Sequence, residues 1–182
     1  DGLVRHFTAV ADAVTTPVYL YDIPSRTQNH IEPATAKALA DHPNIAGIKD
    51  SGGAQDTLEA YLDVGRQKPG FAVYSGPDHL VHWSLQNGAA GCISGLGNVM
   101  PEVLAAIIRA FNAGDEAEAA RQQEIFGNFR KDLYGLGYPP ALVKRALFLM
   151  DSSVGASRQP ALLPDPEQDE KIAEILKKYG LL

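Results

Sequence analysis

Four short runs constrain this chain most: PVYLYDI at 17–23, IAGIK at 45–49, FAVYS at 71–75 and AGCIS at 90–94, each nearly unbroken in apolar residues. They are rich in β-branched and aromatic side chains, and such short continuous runs read as strands buried on both faces. Between them the pattern turns helical. EPATAKALADHP follows the first run, with Glu32 at its start and Pro33 in its first turn. AQDTLEAYLDVGRQ follows the second, PDHLVHWSLQNG the third and MPEVLAAIIRAFNAG the fourth, and Gly88 and Gly114 fit the stops of the last two helices. A strand–helix repeat of roughly 20–30 residues implies parallel strands joined by right-handed crossovers.

After Gly114 no strand follows. DEAEAARQQEIFGNFRKDLYG, PPALVKRALFLM and DPEQDEKIAEILKKYG are three helical segments. The pattern therefore divides the chain into strand–helix units over 1–114 and a C-terminal helical extension over 115–182. DGLVRHFTAVADAV reads as helix from its first residues, so the chain starts inside an element. Four βα units are half of an eightfold barrel, or a small open doubly wound sheet that needs no other half; periodicity leaves both open. In both architectures, sites collect at the C-terminal ends of the parallel strands.

Charge and composition narrow the function classes. A net charge of −6 without a basic block argues against nucleic acid and anionic membrane as partners. No apolar run approaches the roughly 18 residues of a membrane span, and the first residues lack a signal pattern. The lone Cys92 leaves no internal disulfide and points to a reducing cytoplasm. His79 and His82 lie three apart on one helical segment without an evident third ligand, so no metal is expected.

The strand ends carry Tyr21, Pro24, Ser25 and Arg26; then Lys49, Asp50 and Ser51; then Ser75, Gly76, Pro77 and Asp78; then Ser94, Gly95 and Gly97. A lysine closing an apolar strand is partly desolvated, which frees its amine to attack a carbonyl and form a Schiff base. The plainer alternative is a strand-end lysine reaching water and pairing with Asp50. Tyr21 is either a packed aromatic with a bonded hydroxyl or a phenol that shuttles protons beside an imine. Arg26, after a loop stiffened by proline, has the planar fork for a carboxylate, or is simply solvated. The amides of SGLGN at 94–98 could hold an anion, although such loops more often just turn the chain.

Together these residues resemble the dihydrodipicolinate synthase and N-acetylneuraminate lyase family of pyruvate-handling class I aldolases. YDIPSRT is similar to that family's tyrosine-x-x-proline strand end, and GIKDSGG to its Schiff-base lysine strand. YSGPD and GCISG fall where its next two strand ends belong; GYPPALVKRAL and ILKKYGLL resemble segments of its helical extension. The resemblance implies an α/β fold that is the C-terminal half of a (β/α)8 TIM barrel followed by a helical extension. It implies a lyase without a metal or organic cofactor, in which Lys49 forms a covalent imine with pyruvate and Tyr21 moves protons. Arg26 would meet the carboxylate of a second substrate, Ser51 would contact substrate, and the backbones of Gly76 and Ile93 would line the pocket. The implied partners are a small keto acid and an aldehyde, with further copies of the chain in a homo-oligomer, a tetramer in the family.

The family's Gly-Thr-Thr-Gly-Glu motif does not occur here, so the resemblance implies a C-terminal portion of a longer protein, inactive by itself. Arg26 favours the synthase branch, which joins pyruvate to aspartate semialdehyde to give 4-hydroxy-tetrahydrodipicolinate. Ser51, and the YSGPD run, favour sugar-acid aldolases of the 2-keto-3-deoxygluconate type. Gln28 stands where a glycine commonly follows SRT. A third reading is a non-catalytic half-barrel module that pairs through its open edges and an inner face carrying Tyr19, Tyr21, Ile48, Val73 and Ile93.

Overall fold

The four apolar runs form four strands, β1 Val18–Asp22, β2 Ile45–Asp50, β3 Ala72–Ser75 and β4 Gly91–Cys92, in a computed structural model that describes residues 1–182. All pairings are parallel and the spatial order is β1-β2-β3-β4. Helix α1, Gly2–Asp12, precedes β1. The connections are α2 Pro24–Thr27 and α3 Pro33–Leu39, then α4 Gln55–Gln67, then a 3₁₀ turn at Asp78–Leu80 leading into α5 Val81–Gln86. A doubly wound sheet reverses its strand order at a switch point and covers both faces. Here the order never reverses and one face stays open, which is the arrangement of consecutive barrel strands.

Alternation along the strands decides what is buried. Leu20, Ile48 and Val73 lie side by side in register, all buried. They belong to one apolar core with Ala36 and Leu39 of α3 and Leu58, Tyr61 and Leu62 of α4. The spacing of Leu58, Tyr61 and Leu62 puts one helical stripe against the sheet. The opposite face carries two lateral rows, Tyr19–Gly47–Ala72 and Tyr21–Lys49–Tyr74–Gly91. Tyr19 is 50 % exposed and Tyr21 46 %. Two expectations are thereby corrected. The strands are not covered on both faces, and Ile48 and Val73 point to the helices, because side chains one residue from Lys49 and Tyr74 must face away from them.

The open face is built from tyrosine laid over glycine. A Cβ at Gly47 would lie 2.1 Å from the Ala72 carbonyl oxygen and 2.9 Å from Cε1 of Tyr19, so only glycine lets that ring lie flat there. Tyr74 similarly reaches to within 3.6 Å of a Cβ position at Gly91. The Tyr19 and Tyr74 rings meet edge to face with centroids 5.9 Å apart.

Two compact units divide at Ile93 and Ser94. The second contains α6 Pro101–Asn112, α7 Glu116–Tyr134, α8 Pro139–Met150 and α9 Pro166–Lys178, so packing groups α6 with the helices that follow it. Its buried side chains include Ile107, Phe126, Phe129, Leu142, Ile172 and Leu176. Asp115 caps α7 by accepting from the Glu118 amide at 3.0 Å, and Asp165 with Gln168 forms a capping box on α9. Arg145 Nε donates to Asp169 at 2.7 Å, tying α8 to α9. No helix is long and apolar enough to cross a membrane.

Candidate active site

Parallel pairing sets Tyr21 of β1 beside Lys49 of β2, and residues paired this way share a face. The Lys49 ammonium donates to the Tyr21 phenol oxygen at 3.2 Å and sits 4.4 Å from the ring centroid. Ser51, just beyond the strand, donates through Oγ to the same phenol oxygen at 3.4 Å. An amine, a phenol and a hydroxyl thus converge at the C-terminal edge of two adjacent strands, half-buried or exposed and open to a small molecule. Lys49 does not pair with Asp50. Asp50 is wholly buried on the helix side of the sheet.

Gly76 follows β3 and closes the floor of the group. Its amide donates to the Asp50 carbonyl at 2.7 Å. A Cβ at that position would meet Ser51 Oγ at 2.2 Å, the Asp50 carbonyl oxygen at 2.4 Å and Lys49 Cε at 3.1 Å. Position 76 therefore has room for backbone only, and its carbon lies against both Lys49 and Ser51. Ile93 is tied to the third strand by its amide, which donates to the Ser75 carbonyl at 2.9 Å, while its side chain is 48 % exposed. Lys49 and Ser51 meet at the Tyr21 oxygen and Gly76 lies against Lys49 and Ser51; Ile93 is placed beside Ser75 through the backbone.

Arg26 lies exposed on α2, the turn that follows β1. This one-turn helix was not foreseen. Pro24 opens it with a preset φ, and Gln28 ends it in the left-handed region at φ 57°. Glycine adopts that conformation freely, whereas a residue with a Cβ is destabilised there by about 1–2 kcal/mol. The departure of Gln28 from a glycine thus has a backbone meaning. Thr27 Oγ1 donates to the Asn29 carbonyl at 2.8 Å and Asn29 Nδ2 to the Thr27 carbonyl at 3.0 Å, which fixes the loop after Arg26.

The SGLGN loop turns the chain between β4 and α6. It forms a 3₁₀ turn at Leu96–Asn98, and the Gly97 amide donates to Ser94 Oγ at 2.7 Å.

Sequence reasoning missed the groups directly behind the site. Asp22 accepts the Ile31 amide at 2.9 Å and a bond from His30 Nδ1 at 2.8 Å. Tyr61 of α4 donates to the Ile31 carbonyl, and burial raises its phenol pKa. Asp50 accepts the Gly52 amide at 2.7 Å on Oδ1, but its enclosed Oδ2 has no partner. Burial pushes the Asp50 carboxyl up to about 6; the Gly52 amide opposes this and the nearby Asp22 charge adds to it. The signal was present in the repeated "YD" and "KD" strand ends, since period two sends each aspartate to the face opposite its neighbour.

Comparison with known proteins gives this geometry a family context. The sequence model of the "Dihydrodipicolinate synthetase family" matches residues 1–179. The 4-hydroxy-tetrahydrodipicolinate synthase of Moorella thermoacetica is 41% identical over 184 aligned positions, which cover 100% of this chain and 61% of that protein. Among solved structures, a prophage protein of the dihydrodipicolinic acid synthase family from E. coli K12, in complex with pyruvate, superposes with a TM-score of 0.91 at 32% identity, covering 100% of this chain and 62% of that one. Another, described as the first monomeric dihydrodipicolinate synthase variant, gives a TM-score of 0.91 at 27% identity and covers 100% and 61%. The chain thus spans about three fifths of the length of the relatives it matches.

Proposed function

Because the chain belongs to the dihydrodipicolinate synthetase family, we propose that it carries the Schiff-base half of a pyruvate-dependent lyase, with Lys49 as the nucleophile. The observation that carries this reading is the 3.2 Å bond between Lys49 Nζ and the Tyr21 phenol at adjacent strand ends. In the proposed reaction the neutral amine gives its lone pair to the keto carbon of pyruvate. The carbonyl oxygen takes up two protons and leaves as water, and nitrogen retains a positive charge as the iminium. Loss of a methyl proton turns this electron sink into an enamine, whose carbon adds to an aldehyde; hydrolysis then frees Lys49. Tyr21 holds and returns the protons, since its oxygen already touches the nitrogen that reacts.

The second substrate we assign is aspartate semialdehyde, which makes the activity that of a 4-hydroxy-tetrahydrodipicolinate synthase. Arg26, on a helical turn whose start and end are both fixed, presents a planar fork suited to its carboxylate. Arg26→Ala is expected to raise the KM for aspartate semialdehyde roughly 10- to 100-fold, the worth of a charge-assisted hydrogen bond, while borohydride trapping of pyruvate alone stays near wild type. Equal losses in both assays would remove Arg26 from substrate recognition. The 3.4 Å contact of Ser51 with Tyr21 supports a second reading, a 2-keto-3-deoxygluconate-type aldolase that releases pyruvate. A chain that cleaves that sugar acid and ignores aspartate semialdehyde decides for it.

The uncovered tyrosine face bears on assembly. Tyr19, Tyr21 and Ile93 are each about half exposed, and wet aromatic and aliphatic side chains of this size favour burial by roughly 1.5–3 kcal/mol each. The 182-residue chain by itself is therefore expected to self-associate through this face and, with Tyr21 covered, to lack turnover. A monodisperse monomer at micromolar concentration would count against the assignment of this face as a buried surface. We place the protein in the cytoplasm, on the reducing compartment that its single cysteine suits.

A further inference from the structure

The loop that carries Arg26 leaves β1 at Asp22 and returns to the same residue at Ile31. Four residues are too few for a helix to persist alone, because the first turn orders more backbone than its bonds can offset. Gln28 then closes α2 in the left-handed region at φ 57°, a state disfavoured for any residue with a Cβ. Both ends of α2 therefore need support from outside it. Its start is continuous with β1 through Ile23, whose carbonyl accepts the Arg26 amide at 2.9 Å and the Thr27 amide at 3.1 Å. Its far end is held by one side chain.

That side chain is Asp22, which is 0 % exposed. Its Oδ1 accepts the Ile31 amide at 2.9 Å, and its Oδ2 accepts from Nδ1 of the partly exposed His30 at 2.8 Å. Ile31 is fixed from its other side as well. Its side chain is buried and its carbonyl accepts from the hydroxyl of Tyr61 on α4. The Asp22 carbonyl, in turn, accepts the Ser51 amide at 2.8 Å. Asp22 thus joins the base of the Arg26 loop to the strand end that presents Ser51. Residues 23–30 form a loop whose two ends both rest on Asp22, with Arg26 near its middle.

We propose that Asp22 is the positioning residue for Arg26: by pinning His30 and Ile31 it holds the guanidinium where the carboxylate of the second substrate is met. The proposal rests on the reading of Arg26 as the group that recognises that carboxylate. Asp22 touches no substrate. It neighbours Tyr21 along β1 and so points to the face opposite Tyr21 and Lys49, which leaves imine formation independent of its side chain. An unpinned loop would still carry the arginine, but in many orientations, and a group misplaced by about an ångström can lose roughly 10²-fold. The substrate affected is the aldehyde bearing a carboxylate; pyruvate, which reacts at Lys49, is spared.

The test uses a protein that carries the remaining barrel strands, with steady-state kinetics beside borohydride trapping. Asp22→Ala should raise the KM for aspartate semialdehyde roughly 10- to 100-fold and leave trapping of pyruvate within about twofold of wild type. In an Arg26→Ala background the same change should move that KM by less than about threefold, because residues that act as one unit are not additive. Asp22→Asn is the conservative variant. Its carboxamide oxygen can accept the Ile31 amide and its NH₂ can donate to the other His30 tautomer, so KM should return to within about threefold of wild type. His30→Ala removes the partly exposed partner and leaves Ile31 bonded. It should raise KM by about three- to tenfold, which keeps the proposal testable if Asp22→Ala does not fold.

The loop can also be followed without any turnover. Trypsin should cut after the exposed Arg26 at least about tenfold faster in Asp22→Ala than in wild type, since cleavage tracks the population of the opened segment. Mass spectrometry of the fragment that begins at Thr27 measures that rate. A rise in KM matched by an equal loss of trapping marks a merely structural carboxylate and overturns the proposal. So does an unchanged cutting rate, a faster cut with KM unmoved, an asparagine variant as impaired as alanine, or a KM effect that persists in full without Arg26. If Arg26→Ala itself leaves KM unchanged, the reading of Arg26 is wrong. A normal Arg26 effect with none from Asp22→Ala or His30→Ala rejects the anchor alone.

Discussion

Lys49→Ala is expected to abolish borohydride trapping of pyruvate and, in a protein that carries the remaining barrel strands, to lower turnover by roughly 10⁴-fold or more, the scale seen when a covalent nucleophile is removed. No other lysine of the first unit is placed to substitute. Lys37 donates to Gln67 at 2.8 Å and Lys68 pairs with Asp41, both away from the strand ends. In the helical unit, Lys171 bonds Glu167 and Lys178 bonds Asp132 on exposed helix surfaces. Lys49→Arg sharpens the experiment, since it keeps a cation over the Tyr21 ring but offers no amine for an imine. Mass spectrometry of the trapped protein should find the pyruvate-derived addition on the peptide containing Lys49 and nowhere else. Addition at another lysine, or retained trapping in the alanine variant, sinks the assignment.

The second large effect is expected at Tyr21. Tyr21→Phe keeps the ring that packs beneath the Lys49 ammonium at 4.4 Å and removes only the oxygen shared by Lys49 and Ser51. A proton-transfer role predicts a fall in kcat of roughly 10²–10⁴, with KM for pyruvate little changed. Stability should hardly move, because the phenol is on the open face and takes no part in the core. A loss smaller than threefold would return Tyr21 to the status of a packing residue. Measuring the variant at several pH values separates the two roles further, since a missing proton shuttle is felt most where solvent protons are scarce.

Much of this architecture could be read before any coordinates, for reasons tied to particular residues. The runs around Leu20, Ile48 and Val73 are apolar enough to mark the strands, and Pro33 stands in the first turn of the helix whose start it marks. The meeting of Tyr21 and Lys49 in the candidate site was legible because both lie at strand ends, where register alone brings them together. What escaped depended on direction. Ile48 and Val73 read as inner-face residues in the sequence because an unbroken apolar run conceals its own alternation. Asp50 looked like a partner for Lys49 because adjacency in sequence resembles adjacency in space; along a strand it means the reverse. The α2 turn was invisible because four residues are too few for a helical period, and its end is set by the backbone angle of Gln28.

The order of the sheet also bears on how it forms. Each strand pairs with the one that follows it in the chain, through a single intervening connection. The entropy of closing each connection is therefore small and similar, growing only with the logarithm of its length. No strand waits for a distant segment, so β1 and β2 can associate around Leu20 and Ile48 while β3 and β4 are still unformed, and each later strand adds to a template already present. During synthesis, which releases a few residues each second, the register that aligns Tyr21 with Lys49 would be set long before the last helix leaves the ribosome.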